Sequence, residues 1–95
     1  MANTIPDITI SNDLFSSVNT LSGVAIGTEI IISNKSNSTV LLQVSTTQPS
    51  SNSTDGVVMH VPPESTSIKT VTSGENEVWA KSLMYTDVKL SVQEV

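Results

Sequence analysis

A chain of 95 residues with a net charge of −5 has room for one domain with a small core. Its four basic residues are too few to form the basic stripe that nucleic acids or anionic membranes require. The absence of cysteine excludes disulfides, thiol catalysis and cysteine-bound zinc. No apolar run is long enough to span a bilayer, and no signal-peptide pattern is visible, so we expect synthesis in a cytoplasm.

The first twelve residues are predicted to form an extended N-terminal arm, followed by a single β domain over residues 13–95. Ile8 and Ile10 alternate with polar residues, and Pro6 keeps Ile5 extended. The arm is either an edge strand of its own sheet or a strand that pairs with a neighbouring subunit. Ile5, Ile8 and Ile10 are therefore candidate interface residues.

A β-hairpin is predicted from two runs, residues 28–33 and 39–46, which flank a turn rich in Asn and Ser. A period of two places one set of apolar side chains on the expected core face: Ile30, Ile32, Val40, Leu42 and Val44. Ile31 and Leu41 fall on the opposite face, among polar residues. Two apolar residues there indicate that a second sheet or another chain covers this face, so both are candidate interface residues.

Residues 48–56 form a long polar loop, which is either a tolerated surface excursion or a binding loop. His60 is the only histidine, and we interpret it as a packed or surface residue, because no feature places a serine and a carboxylate beside it. The carboxylates are scattered and match no cation-binding loop. We therefore predict no catalytic, cofactor-binding or metal-ligating residue.

The second half of the chain contains further strand patterns, at residues 57–61, weakly at 66–72, and at 77–82 and 87–93. The last of these has the cleanest alternation of apolar and polar residues. About seven or eight short antiparallel strands, with frequent turns and no helical period, predict an all-β fold. The expected architecture is a small β-sandwich or a jelly-roll or barrel-like domain.

Trp79 shares one face of its predicted strand with Glu77 and Lys81. A tryptophan here either plugs one end of the sandwich or anchors an interface, since large aromatics dominate both small cores and binding hot spots. Tyr85, in the turn that follows, is the second aromatic interface candidate.

Four segments carry a resemblance to a known class of protein: LSGVAIGTEIIISNKSNSTVLLQVSTTQP, VPPESTSI, EVWAKS and KLSVQE. In layout and composition, the chain after Leu14 resembles small β-rich virion proteins of tailed bacteriophages, of the capsid-decoration or accessory structural kind. The resemblance implies a protein that binds the outside of a capsid or tail, often as an oligomer. It implies no enzymatic activity, and it assigns no active-site residue.

We therefore expect a capsid decoration protein, made in the host bacterial cytoplasm and located in the virion. Its expected partners are the major capsid protein or other virion proteins and further copies of itself, without nucleic acid, membrane or cofactor. A tail, head–tail junction or fibre-base component is the alternative within this class. A module that binds glycans or a host surface through residues 48–56 and Trp79 or Tyr85 is the alternative from another class, and an enzyme ranks last.

Overall fold

The computed structural model describes residues 4–62, 67–72, 74–84 and 86–95. Within these residues the chain forms eight strands and one short helix. In chain order they are β1 (Ile8–Ile10), β2 (Ser16–Ser17), α1 (Val18–Ser22), β3 (Ile30–Asn34), β4 (Val40–Ser45), β5 (Val57–Met59), β6 (Ile68–Val71), β7 (Glu77–Ser82) and β8 (Val88–Glu94). No helix in this part of the chain has the length and apolar character to cross a bilayer.

The strands form two four-stranded antiparallel sheets. The order is β1-β8-β3-β6 in the first sheet and β2-β7-β4-β5 in the second. Every connection except that from β4 to β5 crosses between the sheets, which is the strand order of a jelly roll, a double-sheet sandwich. The prediction of an all-β sandwich with about seven or eight antiparallel strands is confirmed.

The hairpin predicted from residues 28–46 is wrong in its pairing, although both of its strands form. β3 lies in the first sheet beside β6 and β8, whereas β4 lies in the second sheet beside β5 and β7. The buried Asn34 stabilises the corner between them: its Nδ2 donates to the carbonyls of Ser38 at 2.8 Å and His60 at 3.3 Å. Its Oδ1 accepts from the backbone N–H of Ser36. Local alternation specifies which face a residue occupies, but the partner strand depends on contacts outside the segment.

The core lies between the sheets and is almost entirely aliphatic. The predicted inward residues of β3 and β4 are buried there, with the exception of Val44, and the alternation of β8 is confirmed. Full burial of one Val, Leu or Ile side chain contributes roughly 1.5–3 kcal/mol. The main cluster depends on many similar aliphatic side chains; the fully buried Phe15 lies outside it.

The N-terminal segment packs onto its own domain. β1 pairs with β8, and Ile8 and Ile10 are buried in the core cluster. Before β1, the N–H of Ile5 donates to Oε1 of Gln93 at 2.9 Å, and the Ile5 carbonyl accepts from Nε2 of the same side chain at 2.9 Å. The described part of the segment is thus an edge of the β domain rather than a separate arm.

The five-residue helix α1 is too short to give the chain a helical period in its sequence pattern. Ser17 caps its first turn by accepting the N–H of Thr20 at 3.1 Å, and Gly23 ends it with a φ of 78°. Asn19 is buried and accepts the backbone N–H of Val78 at 2.8 Å. The helix is therefore joined directly to β7, and it closes the sandwich beside β2.

Candidate functional site

The two sheets leave a cleft at one flank, where β5 and β6 are the edge strands of opposite sheets. Its volume is about 470 Å³, within the range of roughly 300–1,000 Å³ typical of ligand pockets. The lining residues that matter here are five apolar ones and one lysine: Leu42, Val44, Val57, Val71, Val78 and Lys69. The cleft is therefore a largely apolar gap beside two strand edges.

The strand register shows that the apolar lining faces the interior of the sandwich. Val44 is the cross-strand partner of Val78, and Val57 is the partner of Leu42, and both partners are buried. Residues opposite each other on paired strands share a face, so Val44 and Val57 face the core. Nevertheless Val44 is 43% exposed and Val57 is 49% exposed, whereas Met59, on the same face of β5, is fully buried. The core is therefore unfilled at this flank.

Lys69 brings one positive charge to the same gap. It pairs with the buried Ile32, as Val71 pairs with the buried Ile30, so both β6 residues lie on the inner face. Lys69 is half-buried, and Val71 packs against the core. A charge that points inward from an edge strand opposes uncontrolled pairing with other edges. It also provides a cation for a partner that carries a carboxylate.

The loop between β4 and β5 lies over the outer face of the second sheet. Lys81 Nζ donates to the carbonyl of Ser51 at 3.0 Å, and the hydroxyl of Ser53 donates to Oε1 of Gln43 at 3.3 Å. Leu41 lies on this face and is 2% exposed. The sequence predicts that a second sheet or another chain covers this residue, but Leu41 is buried within the chain itself, and the loop is anchored to its neighbours Lys81 and Gln43. Leu41 therefore offers no surface to a partner.

Trp79 lies on the same outer face, as the strand alternation predicts. Its cross-strand neighbours are Ser17 and Gln43, and its indole N–H donates to the carbonyl of Ser45 at 3.0 Å. The side chain is half-buried and stands outside the core cluster, so it does not plug the sandwich. Its role at an interface stays a prediction, and Tyr85 lies outside the described residues.

The remaining interface candidates separate into buried and exposed positions. Ile8 and Ile10 are buried, and Ile5 packs partly buried against the core. Ile31 is 37% exposed on the outer face of the first sheet, diagonal to Ile68, which is 55% exposed. Of the candidates on the first sheet, Ile31 is the one that presents a sizeable apolar surface.

Sequence reasoning missed the cleft. Val44 is predicted to be core, and residues 57–61 are predicted to be an ordinary strand, so neither pattern indicates an opening. The available signal is the pair Val57 and Val58, two adjacent apolar residues directly after Gly56. On a short edge strand, such a pair presents one apolar residue to each face.

The described residues contain no group of three or more His, Cys, Asp or Glu side chains arranged to hold a metal ion. His60 is exposed, and it is not part of the cleft lining. Comparison with protein-family models gives no match, and comparisons with curated proteins and with solved structures give none either.

Proposed function

We propose that this chain is a non-enzymatic phage virion protein that decorates the capsid and stabilises it through protein–protein contacts. The observation that carries the proposal is the open flank, where the core-facing Val44 and Val57 are left exposed. A partner that fills the gap buries this apolar surface, and binding to the folded state stabilises both the chain and the assembled particle by mass action.

The jelly-roll strand order supports the proposal at the level of fold. Viral capsid domains use this architecture, and so do lectins and cupins. Because one fold serves many functions, the order of strands contributes an analogy, and the argument from contact rests on the site itself. The layout of the sequence, which resembles phage virion proteins, points in the same direction.

The surface chemistry agrees with a role in assembly. The first sheet presents the exposed pair Ile31 and Ile68 on an otherwise polar outer face, and β1 and β6 form its edges. Edges and small apolar patches allow contact with the major capsid protein and with further copies of the chain. The proposed location is the virion, with no cofactor, nucleic acid or membrane in the contact. A tail, head–tail junction or fibre-base position would use the same surfaces.

One observation favours a second function, the binding of host glycans. The structure brings the loop between β4 and β5 onto the face that carries Trp79, since Ser53 of the loop donates to Gln43, the cross-strand neighbour of Trp79. A half-buried indole beside a polar loop suits stacking against a sugar ring. Glycan-array binding that Trp79→Ala abolishes would favour this function over decoration.

The test of the decoration proposal is the composition of purified virions. Particles produced from the genome that encodes the chain are banded on a density gradient, separated into heads and tails, and quantified by mass spectrometry. The expected result is the chain in the head fraction at a fixed ratio to the major capsid protein. Expression in the lysate without incorporation into particles would overturn the proposal, and recovery with tails would move the chain to the tail alternative.

A further inference from the structure

We infer that the cleft between β5 and β6 receives an extended segment of a partner virion protein, which adds a strand at the edge of β6. The segment would place apolar side chains at alternate positions among Val44, Val57 and Val71, and a carboxylate beside Lys69. The inference rests on the proposed function for the identity of the partner, and it goes further by stating the chemistry of the segment.

The edges of the sheets provide the backbone part of this recognition. Among the described strands, β6 pairs only with β3 and β5 pairs only with β4. The outer edge of β6 therefore has backbone N–H and C=O groups directed away from its sheet. An extended peptide binds such an edge by continuing the ladder, and pockets for its alternate side chains supply specificity.

The lining provides the side-chain part. A strand added beside β6 directs every second side chain inward, toward Val44 and Val57 on the opposite sheet. Leu42 and Val78 lie buried at the base of the gap, so inserted aliphatic groups would contact an apolar floor. The volume of about 470 Å³ accommodates several such groups.

The charges at the cleft indicate whether its occupant is a second copy of this chain or a different protein. A two-fold contact centred on the cleft would bring Lys69 toward its own symmetry mate and would join two chains of net charge −5. Like charges in a contact oppose association, whereas a carboxylate on the partner would pair with Lys69. The observations therefore favour a segment of another protein, with an acidic residue on its inward face.

The direct test is an NMR titration of the ¹⁵N-labelled full chain with the synthetic peptide acetyl-VTDTVTV-amide. Its alternate positions present one carboxylate and three valines on the same face. The expected result is chemical-shift change at β5, β6 and the cleft-lining residues Leu42, Val44 and Val78, with the β1–β2 flank unchanged. Replacing the peptide Asp with Asn is expected to weaken binding about tenfold. The block peptide acetyl-TTTDVVV-amide, of the same composition, is expected not to bind.

Matched variants of the protein locate the contact. Val57→Glu and Lys69→Glu are expected to weaken peptide binding at least about tenfold. Ile31→Glu and Lys89→Glu place comparable charges on the outer face of the first sheet, on the central strands β3 and β8 away from the docking edge, and are expected to leave binding unchanged. If Val57→Glu does not fold, as judged by loss of a dispersed NMR spectrum, the milder Val57→Thr takes its place. Val57→Thr is also expected to bind the peptide more weakly than the unmodified chain does.

Three results would overturn the inference: no shifts at β5 and β6, equal binding of both peptides, or shifts produced by decanoate but by neither peptide. The last result would assign the cleft to a small apolar acid. Virion incorporation separates this inference from the proposed function. If Val57→Glu and Lys69→Glu enter particles as well as the unmodified chain does, strand docking is wrong and decoration stands. If the peptide binds but the chain is absent from virions, decoration is wrong and the cleft still receives a strand.

Discussion

The two flanks of the sandwich differ sharply. At the β1–β2 flank the inward side chains Ile8, Ile10 and Val18 are buried, and α1 closes the space between the sheets. At the β5–β6 flank Val44 and Val57 face inward with nearly half of their surface exposed. An exposed apolar residue is ordinary on a protein surface, but one that faces the core marks missing packing. The comparison distinguishes a closed flank with complete packing from an open flank where apolar side chains that face the core stay exposed.

The two flanks should differ most in how far truncation of one side chain lowers the free energy of unfolding. Ile10→Ala should lower the free energy of unfolding by about 2–5 kcal/mol, because it leaves a cavity in packed core. Val57→Ala should lower it by less than about 1 kcal/mol, because its side chain is half-solvated. Urea denaturation monitored by Trp79 fluorescence measures both values. Equal losses would show that the two flanks are packed alike.

The base of the open flank depends on a glycine. Gly56 has a φ of 117°, and a Cβ there would stand 2.1 Å from the carbonyl oxygen of Leu42. We expect Gly56→Ala to lower the free energy of unfolding by at least about 3 kcal/mol, because backbone strain and a steric clash add together.

The matched control for Gly56 is Gly23, at the end of α1. Its φ of 78° is also positive, but a Cβ there meets no atom within 4 Å. Gly23→Ala should therefore lower the free energy of unfolding by only about 1–2 kcal/mol, the penalty for an alanine in the left-handed conformation. Thermal denaturation measures the stability of both variants. A smaller loss of stability for Gly56→Ala than for Gly23→Ala would show that the predicted clash with Leu42 is wrong.

At the closed flank, Gln93 secures the residues that precede β1. Its side chain makes two hydrogen bonds to the backbone of Ile5, each worth about 0.5–1.5 kcal/mol. Gln93→Ala should speed amide hydrogen exchange at Ile5 while leaving β4 and β7 protected. Lys89→Ala, exposed on the same sheet, is the control. Unchanged exchange at Ile5 would mean that β1 pairing alone holds this segment.

The smallest effect is expected at the ion pair between Lys35 and Asp7, whose charged atoms are 2.9 Å apart. Both side chains are substantially exposed, so solvent and salt screen the attraction. Lys35→Ala should change the free energy of unfolding by less than about 1 kcal/mol, with little further change at high salt. A loss comparable to that of Ile10→Ala would assign the stability of this flank to charge rather than packing.

Sequence reasoning predicted only part of the candidate site. The alternation on β7 correctly places Trp79 with Lys81, and that on β3 correctly places Ile31 outward. Leu41 shows the limit: its outward direction follows from the period of two, but its burial within the chain, beside a loop anchored to Lys81 and Gln43, does not. Side-chain direction is a local property, whereas burial depends on what packs above it.

Sequence by itself determined the all-β class and the inner face of the longer strands, because a pleated strand alternates its side chains whatever its neighbours are. Tertiary structure alone decided that β3 and β4 lie in different sheets, that the N-terminal segment packs on its own domain, and that one flank stays open. These features depend on contacts between distant parts of the chain, such as that of Ile5 with Gln93, 88 positions apart. No local pattern of apolar and polar residues encodes such a pairing.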